Sequence, residues 1–69
     1  MGESQTDGTI RKNIHPGLVV IIVQKHHQRT GEMTQGIVQE ILTSAPVHPR
    51  GIKVRLTSGE VGRVQHVQG

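Results

Sequence analysis

Apolar residues along this 69-residue chain fall into four short stretches, separated by polar, glycine-containing or proline-containing segments. The first, residues 18–23 (LVVIIV), is a continuous aliphatic run. Its brevity and β-branching predict a strand buried on most of both faces. The third, residues 52–56 (IKVRL), alternates strictly, which predicts a strand with its three aliphatic side chains inward and Lys53 and Arg55 outward.

The last stretch, residues 61–67, is predicted to return as a strand after a two-residue hairpin turn at Ser58 and Gly59. Such a turn pairs Leu56 with Val61. It would leave Val64 out of register with the third strand, so we expect a bulge at Gly62. With that bulge Val64 points inward, and Arg63 and Gln65 lie outside.

Residues 36–42 (GIVQEIL) are ambiguous, because their paired aliphatics also fit one face of a short helix. We favour a strand that bends between two halves of a small barrel, since seven residues beginning at glycine are short for a helix. Residues 24–35 are polar and predict an exposed connection that turns at Gly31, with Met33 folding back towards the core.

Together these elements predict an all-β fold, a small SH3-like or KOW-like antiparallel barrel of about four to five strands. Residues 1–13 contain one large aliphatic residue, Ile10, and predict a disordered N-terminal tail. Residues 14–69 then form a single domain, which begins with a turn at residues 14–17. An open sheet edge could pair two copies, and the sequence leaves the oligomeric state open.

The composition restricts both the core and the class of protein. With no aromatic residue and no cysteine, the core has to come from seven Ile, three Leu and nine Val. The absence of cysteine excludes disulfides and thiolate zinc sites, so we expect a cytoplasmic location. The longest apolar run is six residues, which is too short to cross a bilayer, and we expect no membrane association.

Eight Lys and Arg against five Asp and Glu give a formal net charge of +3. The outward positions of the last two strands and two loops collect most of the cations, a pattern typical of a surface that binds nucleic-acid phosphates. The alternative is an ordinary solvated face that protects strands from aggregation. The candidate nucleic-acid-binding residues are Lys25, Arg29, Arg50, Lys53, Arg55, Arg63 and Gln65.

Other chemistry has weaker support in the sequence. His26, His27 and His48, with His15 or His66, could bind zinc, nickel or copper, but the two adjacent histidines cannot easily reach one metal. Exposed loop histidines are the alternative, and we expect no metal site and no cofactor. The chain has no cysteine nucleophile, paired carboxylates or phosphate-binding glycine loop, so we do not expect an enzyme.

Two strings, QRTG at residues 28–31 and HP-x-GIKVRL at residues 48–56, are specific, and glycines and aliphatics recur at residues 36–43 and 59–65. In these features the chain resembles the YwbE-like family of small uncharacterised prokaryotic proteins. The resemblance implies a domain similar to KOW-like RNA-binding modules, without an established catalytic residue. It draws attention to the polar residues inside the signature, which are Gln28, Arg29, Thr30, His48, Lys53, Arg55, Arg63 and Gln65.

Our leading hypothesis is therefore a non-catalytic nucleic-acid-binding domain, with RNA favoured over DNA. Without Phe, Tyr or Trp, the chain has no aromatic ring for stacking on bases, which weakens the case for single strands. The alternative hypothesis is a protein–protein interaction module built on an SH3-like barrel. Metal binding by the histidines is the third.

Overall fold

The computed structural model describes residues 7–24 and 30–68. Within them, four strands follow one another: β1 (Val19–Gln24), β2 (Met33–Ile41), β3 (Lys53–Leu56) and β4 (Val61–Val67). Each strand pairs antiparallel with the next, and β4 pairs with β1, so that the sheet closes into a barrel. The predicted all-β antiparallel barrel is confirmed, and closure removes the open edge that the sequence had left as a route to pairing two copies.

The barrel interior is entirely aliphatic in the described residues. Its buried side chains come from every strand and from the segments before β1 and β3: Ile14, Val20, Ile22, Val38, Ile52, Val54, Leu56 and Val64. The alternation predicted for residues 52–56 is confirmed. In β1, by contrast, the outward residues Val19, Ile21 and Val23 are only half-buried, so this strand is fully buried on one face and not on both.

The ambiguous second stretch is a strand, as we favoured. It begins earlier than expected, at Met33, because backbone pairing with β1 continues through the polar residues Thr34 and Gln35. Met33 lies opposite Val23 on the outer face and is 51% exposed, so it does not fold back onto the core. The register against β3 shifts around Gln39, and this bulge supplies the expected bend.

The hairpin between β3 and β4 differs from the prediction. The Glu60 carbonyl accepts from the Leu56 N–H at 2.8 Å, so Leu56 lies opposite Glu60 and three residues, 57–59, make the turn. Gly59 has φ +105°, which favours glycine there. The longer turn shifts the register by one residue, so the predicted pairing of Leu56 with Val61 and the bulge at Gly62 are both wrong.

Of the predicted disordered tail, residues 1–6 lie outside the described residues, whereas residues 7–13 lie along the loop between β2 and β3. Backbone N–H groups of His48 and Ile52 donate to Thr9 and Gly8, and a 3₁₀ helix follows at Arg11–Asn13. The next residue, Ile14, is buried in the core and anchors the segment. No helix in the described residues is long and apolar enough to cross a membrane.

Candidate nucleic-acid interface

Two positive side chains lie in direct opposition on the outer face of β3 and β4. Lys53 and Arg63 are cross-strand partners. The adjacent pair, Val54 and Gly62, is buried on the other side of the sheet. Like charges directly opposite each other destabilise a sheet, on a scale of roughly 0.2–1 kcal/mol per pair. A pair that opposes folding in this way is typical of positions where function determines the residue type.

This pair lies in a concave surface that we call the basic groove. It runs from the end of β1 across the start of β4 to β3, with the β3–β4 turn at one end and the loop before β3 at the other. The residues that line it are Val23, Gln24, His48, Arg50, Lys53, Ser58, Gly59, Glu60, Val61, Gly62 and Arg63. Three cations and one carboxylate give the lining a net charge of +2, counting histidine as neutral.

The loop before β3 brings His48 and Arg50 to the groove through its own hydrogen bonds. The Arg50 N–H donates to His48 Nδ1 at 3.2 Å, and the Gly51 N–H donates to the His48 carbonyl at 3.0 Å. Gly51 has φ +103°, and a Cβ there would lie 2.2 Å from the Val64 carbonyl oxygen. Because Gly51 has no Cβ, the loop can pack directly against the backbone of β4. This packing places Arg50 beside Lys53 and Arg63.

Two β4 side chains fix this loop from the other side. Arg63 Nη1 donates to the Gly51 carbonyl at 3.3 Å, and Gln65 Nε2 donates to the Arg50 carbonyl at 3.3 Å. Arg63 is half-buried, whereas Lys53 and Arg50 are exposed. Because a guanidinium has five N–H donors, Arg63 can hold the loop and still donate to an anion in the groove.

Arg55 was predicted from sequence as a binding residue, and it lies on the same outer face. It does not line the groove, and its guanidinium forms an ion pair with Glu40 of β2. Both side chains are well exposed, so the pair contributes little to stability. The pairing offsets the positive charge of Arg55 locally, whereas neither Lys53 nor Arg63 forms an ion pair with a carboxylate in residues 7–24 and 30–68.

One carboxylate limits the positive surface at the turn end of the groove. A hydrogen bond from the Ser58 hydroxyl, with a smaller contribution from the backbone N–H of Glu60 itself, lowers the pKa of Glu60. Glu60 therefore remains ionised at neutral pH. The groove is electrically polar along its length, with its negative end at the turn and its positive end at Arg50, Lys53 and Arg63.

Comparison with known proteins places the chain in a family. The family model of uncharacterized conserved proteins named DUF2196 matches residues 7–67. The chain belongs to DUF2196. Uncharacterized protein YwbE of Bacillus subtilis (strain 168) is 49% identical over 61 residues, which cover 88% of this chain and 94% of that protein. No solved structure gives a significant match. The resemblance to the YwbE-like family is confirmed.

The histidines of this DUF2196 chain do not form a metal centre in the described residues. No group of three or more His, Cys, Asp or Glu that could hold a metal ion occurs in residues 7–24 and 30–68. His48 lies in the groove and His66 pairs with Ile21 elsewhere on the barrel. His26 and His27 lie outside the described residues, so the metal hypothesis stays a hypothesis.

Of the seven residues predicted to bind nucleic acid, the DUF2196 fold brings Arg50, Lys53 and Arg63 together in the groove, with Gln65 supporting the loop. Lys25 and Arg29 lie outside the described residues. Sequence reasoning missed Val23, which lines the groove although it belongs to the first strand. The alternation of β1 places Val23 outward, but its position beside Arg63 depends on barrel closure.

Proposed function

We propose that this DUF2196 protein is a non-catalytic nucleic-acid-binding protein, with RNA as its ligand, and that the basic groove binds the phosphates. The observation that carries the proposal is the opposition of Lys53 and Arg63 in a groove that also contains Arg50. An anion placed between the two cations would relieve their repulsion. Binding would then compensate a local cost to folding.

The choice of RNA over DNA rests on the resemblance of the signature to KOW-like RNA-binding modules. The SH3-like or KOW-like character of the barrel belongs to the same proposal. Affinity would come mainly from the phosphates, because the chain has no aromatic residue to stack on bases.

The charge of the groove sets the expected dependence on salt. Three phosphate contacts to a single strand give a slope of log K against log salt of about −2, which is an affinity loss of roughly 20-fold between 50 and 200 mM salt. If Lys25 and Arg29 add two contacts, the slope steepens to about −3.5 and the loss to roughly 130-fold. The measured slope of log K against log salt therefore gives the number of cations that contact phosphates.

The test is a fluorescence anisotropy titration of a labelled RNA oligonucleotide with the full chain at several salt concentrations. The variant Lys53→Gln/Arg63→Gln should lose affinity about 60-fold at 50 mM salt, at roughly 8-fold for each phosphate contact, and its slope should be shallower by about 1.4. The same titration with a DNA oligonucleotide of matched sequence compares the affinities for DNA and RNA.

The control variant Lys12→Gln/Arg55→Gln removes the same charge from positions outside the groove. It should bind within a few-fold of the parent protein, because Arg55 is already offset by Glu40. Amide NMR spectra of both variants establish that the barrel is folded. Equal losses of affinity in the two variants would show that affinity depends only on overall charge. That result would refute the assignment of the binding site to the basic groove.

A second candidate function, protein–protein interaction, is favoured by the outer face of β1 and β2. This face carries Val19 paired with Ile37, and Val23 paired with Met33, instead of the polar residues usual on an outer barrel surface. The test is to capture a protein partner from solution with the full chain after nuclease treatment. Capture that is lost in Ile37→Glu but retained in Lys53→Gln/Arg63→Gln would support this function over RNA binding.

A further inference from the structure

The closed barrel arranges the outer side chains beside Arg63 in a defined order. In β4, Arg63 is paired with Val23 of β1 on one side and with Lys53 of β3 on the other. Val61 is the next outward residue of β4, towards the turn, and all four line the basic groove. The Arg63 guanidinium thus has aliphatic neighbours as well as a cation.

The two valines give the groove an apolar floor next to its phosphate-binding end. Val23 and Val61 are both half-buried. Directly paired residues have Cβ atoms about 4.5–5.5 Å apart, and successive residues on one face of a strand are about 6.6–6.8 Å apart. Both valines therefore lie within a single nucleotide's reach of Arg63.

The polarity of the groove orients a ligand that has one charged and one apolar part. Glu60 at the turn end repels a phosphate, whereas Lys53, Arg63 and Arg50 attract one at the other end. Val61 follows Glu60 in sequence and lies between the two ends. A phosphate is thus directed away from the turn, and a less polar group is directed onto the valines.

We infer that the basic groove binds a single-stranded segment, with the flat face of one base against Val23 and Val61 and the neighbouring phosphate between Lys53 and Arg63. This inference rests on the proposed function. A duplex presents phosphates on its outside and hides its base faces in the stack, so it would leave the valine floor uncovered. Aliphatic contacts do not read hydrogen-bond patterns, so binding tolerates many base sequences.

The test compares three ligands for the folded full chain: a single-stranded RNA, the same RNA annealed to its complement, and inorganic polyphosphate, which has charge without bases. The single strand should bind at least 10-fold more tightly than the duplex. The variant Val23→Thr/Val61→Thr keeps the branched shape but exchanges one methyl for a hydroxyl at each site. It should lose about 10-fold in affinity for the single strand, at roughly 3- to 4-fold for each methyl.

The same variant should bind polyphosphate as the parent protein does, with an unchanged salt slope. Val19→Thr/Ile37→Thr, on the outer face away from the groove, is the matched control and should leave RNA affinity unchanged. Thermal melts and amide spectra check the fold of both variants.

The outcomes separate the two proposals. If duplex and single strand bind equally, or if Val23→Thr/Val61→Thr binds the single strand normally, the single-strand inference is overturned. Binding that still depends on Lys53 and Arg63 would leave the proposed function standing. If neither RNA nor DNA binds at all, the proposed function fails and the inference fails with it.

Discussion

Replacing Gly51 with alanine tests how the loop before β3 is held against β4. The new Cβ would lie 2.2 Å from the Val64 carbonyl oxygen and close to two further backbone atoms of Val64, so no flexible side chain can move aside. The loop cannot easily retreat either, because the Val64 N–H donates to the Ile52 carbonyl one residue beyond Gly51. The backbone conformation at φ +103° adds its own cost for any side chain.

The clash with Val64 and the backbone strain at residue 51 are of similar size, and their costs add. Backbone strain costs about 1–2 kcal/mol, and forcing atoms into a packed site costs about 1–3 kcal/mol. We expect Gly51→Ala to lower the free energy of unfolding by about 3 kcal/mol, from a total of roughly 3.5–10 kcal/mol for a chain of this size. Thermal unfolding followed by circular dichroism should show a Tm lower by about 12–24 °C.

Gly59→Ala is the matched control. Gly59 has φ +105°, but nothing lies within 4 Å of its Cβ position. It should therefore lose only the backbone part, about 1–2 kcal/mol. If Gly51→Ala is no more destabilising than Gly59→Ala, the close approach of the loop to Val64 does not exist as described, and the positioning of Arg50 in the groove loses its basis.

Two further predictions concern the core and the turn. Leu56→Ala should cost about 2–5 kcal/mol in a urea titration, because Leu56 is completely buried, whereas Leu42→Ala should cost less than about 1 kcal/mol, because Leu42 is 39% exposed; equal costs would contradict the assigned core. Ser58→Ala should raise the pKa of Glu60 towards its ordinary value in an NMR titration, since the Ser58 hydroxyl is the main cause of its lowering. A carboxyl with a lowered pKa in the folded state stabilises the fold above its unfolded-state pKa and loses that contribution as the pH falls through its folded-state pKa. Ser58→Ala should therefore reduce the loss of stability on acidification, and an unchanged Glu60 titration would contradict the assigned hydrogen bond.

The sequence predicted the strands well where the pattern of residues had a clear period. In residues 52–56 the alternation alone separated the buried Ile52 and Leu56 from the exposed Lys53. The strand at residues 36–42 was also predicted, although its aliphatic pairs fit a helix. Its bulge at Gln39 explains the pairs, since an extra residue changes which side chains point inward.

The predictions that failed depended either on contacts between residues far apart in the chain or on the exact number of residues in a turn. The β3–β4 turn contains three residues and not two, and this moved Val61 to the outer face opposite Arg55. Residues 7–13 carry too little apolar surface to predict order. They are held by backbone hydrogen bonds to the loop before β3, such as the 2.8 Å bond from the Arg11 N–H to the Pro46 carbonyl. Backbone bonds leave no signature in the side-chain pattern.

By itself the sequence determined an all-β chain with an aliphatic core and an outward row of cations, because alternation and β-branching act between neighbouring residues. The tertiary structure decided which of the cations lie together. Arg55 meets Glu40 through the pairing of β2 with β3, and Arg63 meets both Lys53 and Val23 because β4 lies between β3 and β1. Val23 and Arg63 are 40 residues apart in the chain. Only closure of the barrel brings such residues into one groove. The local pattern determines which side chains of a strand point outward, but it does not determine which strands lie next to each other.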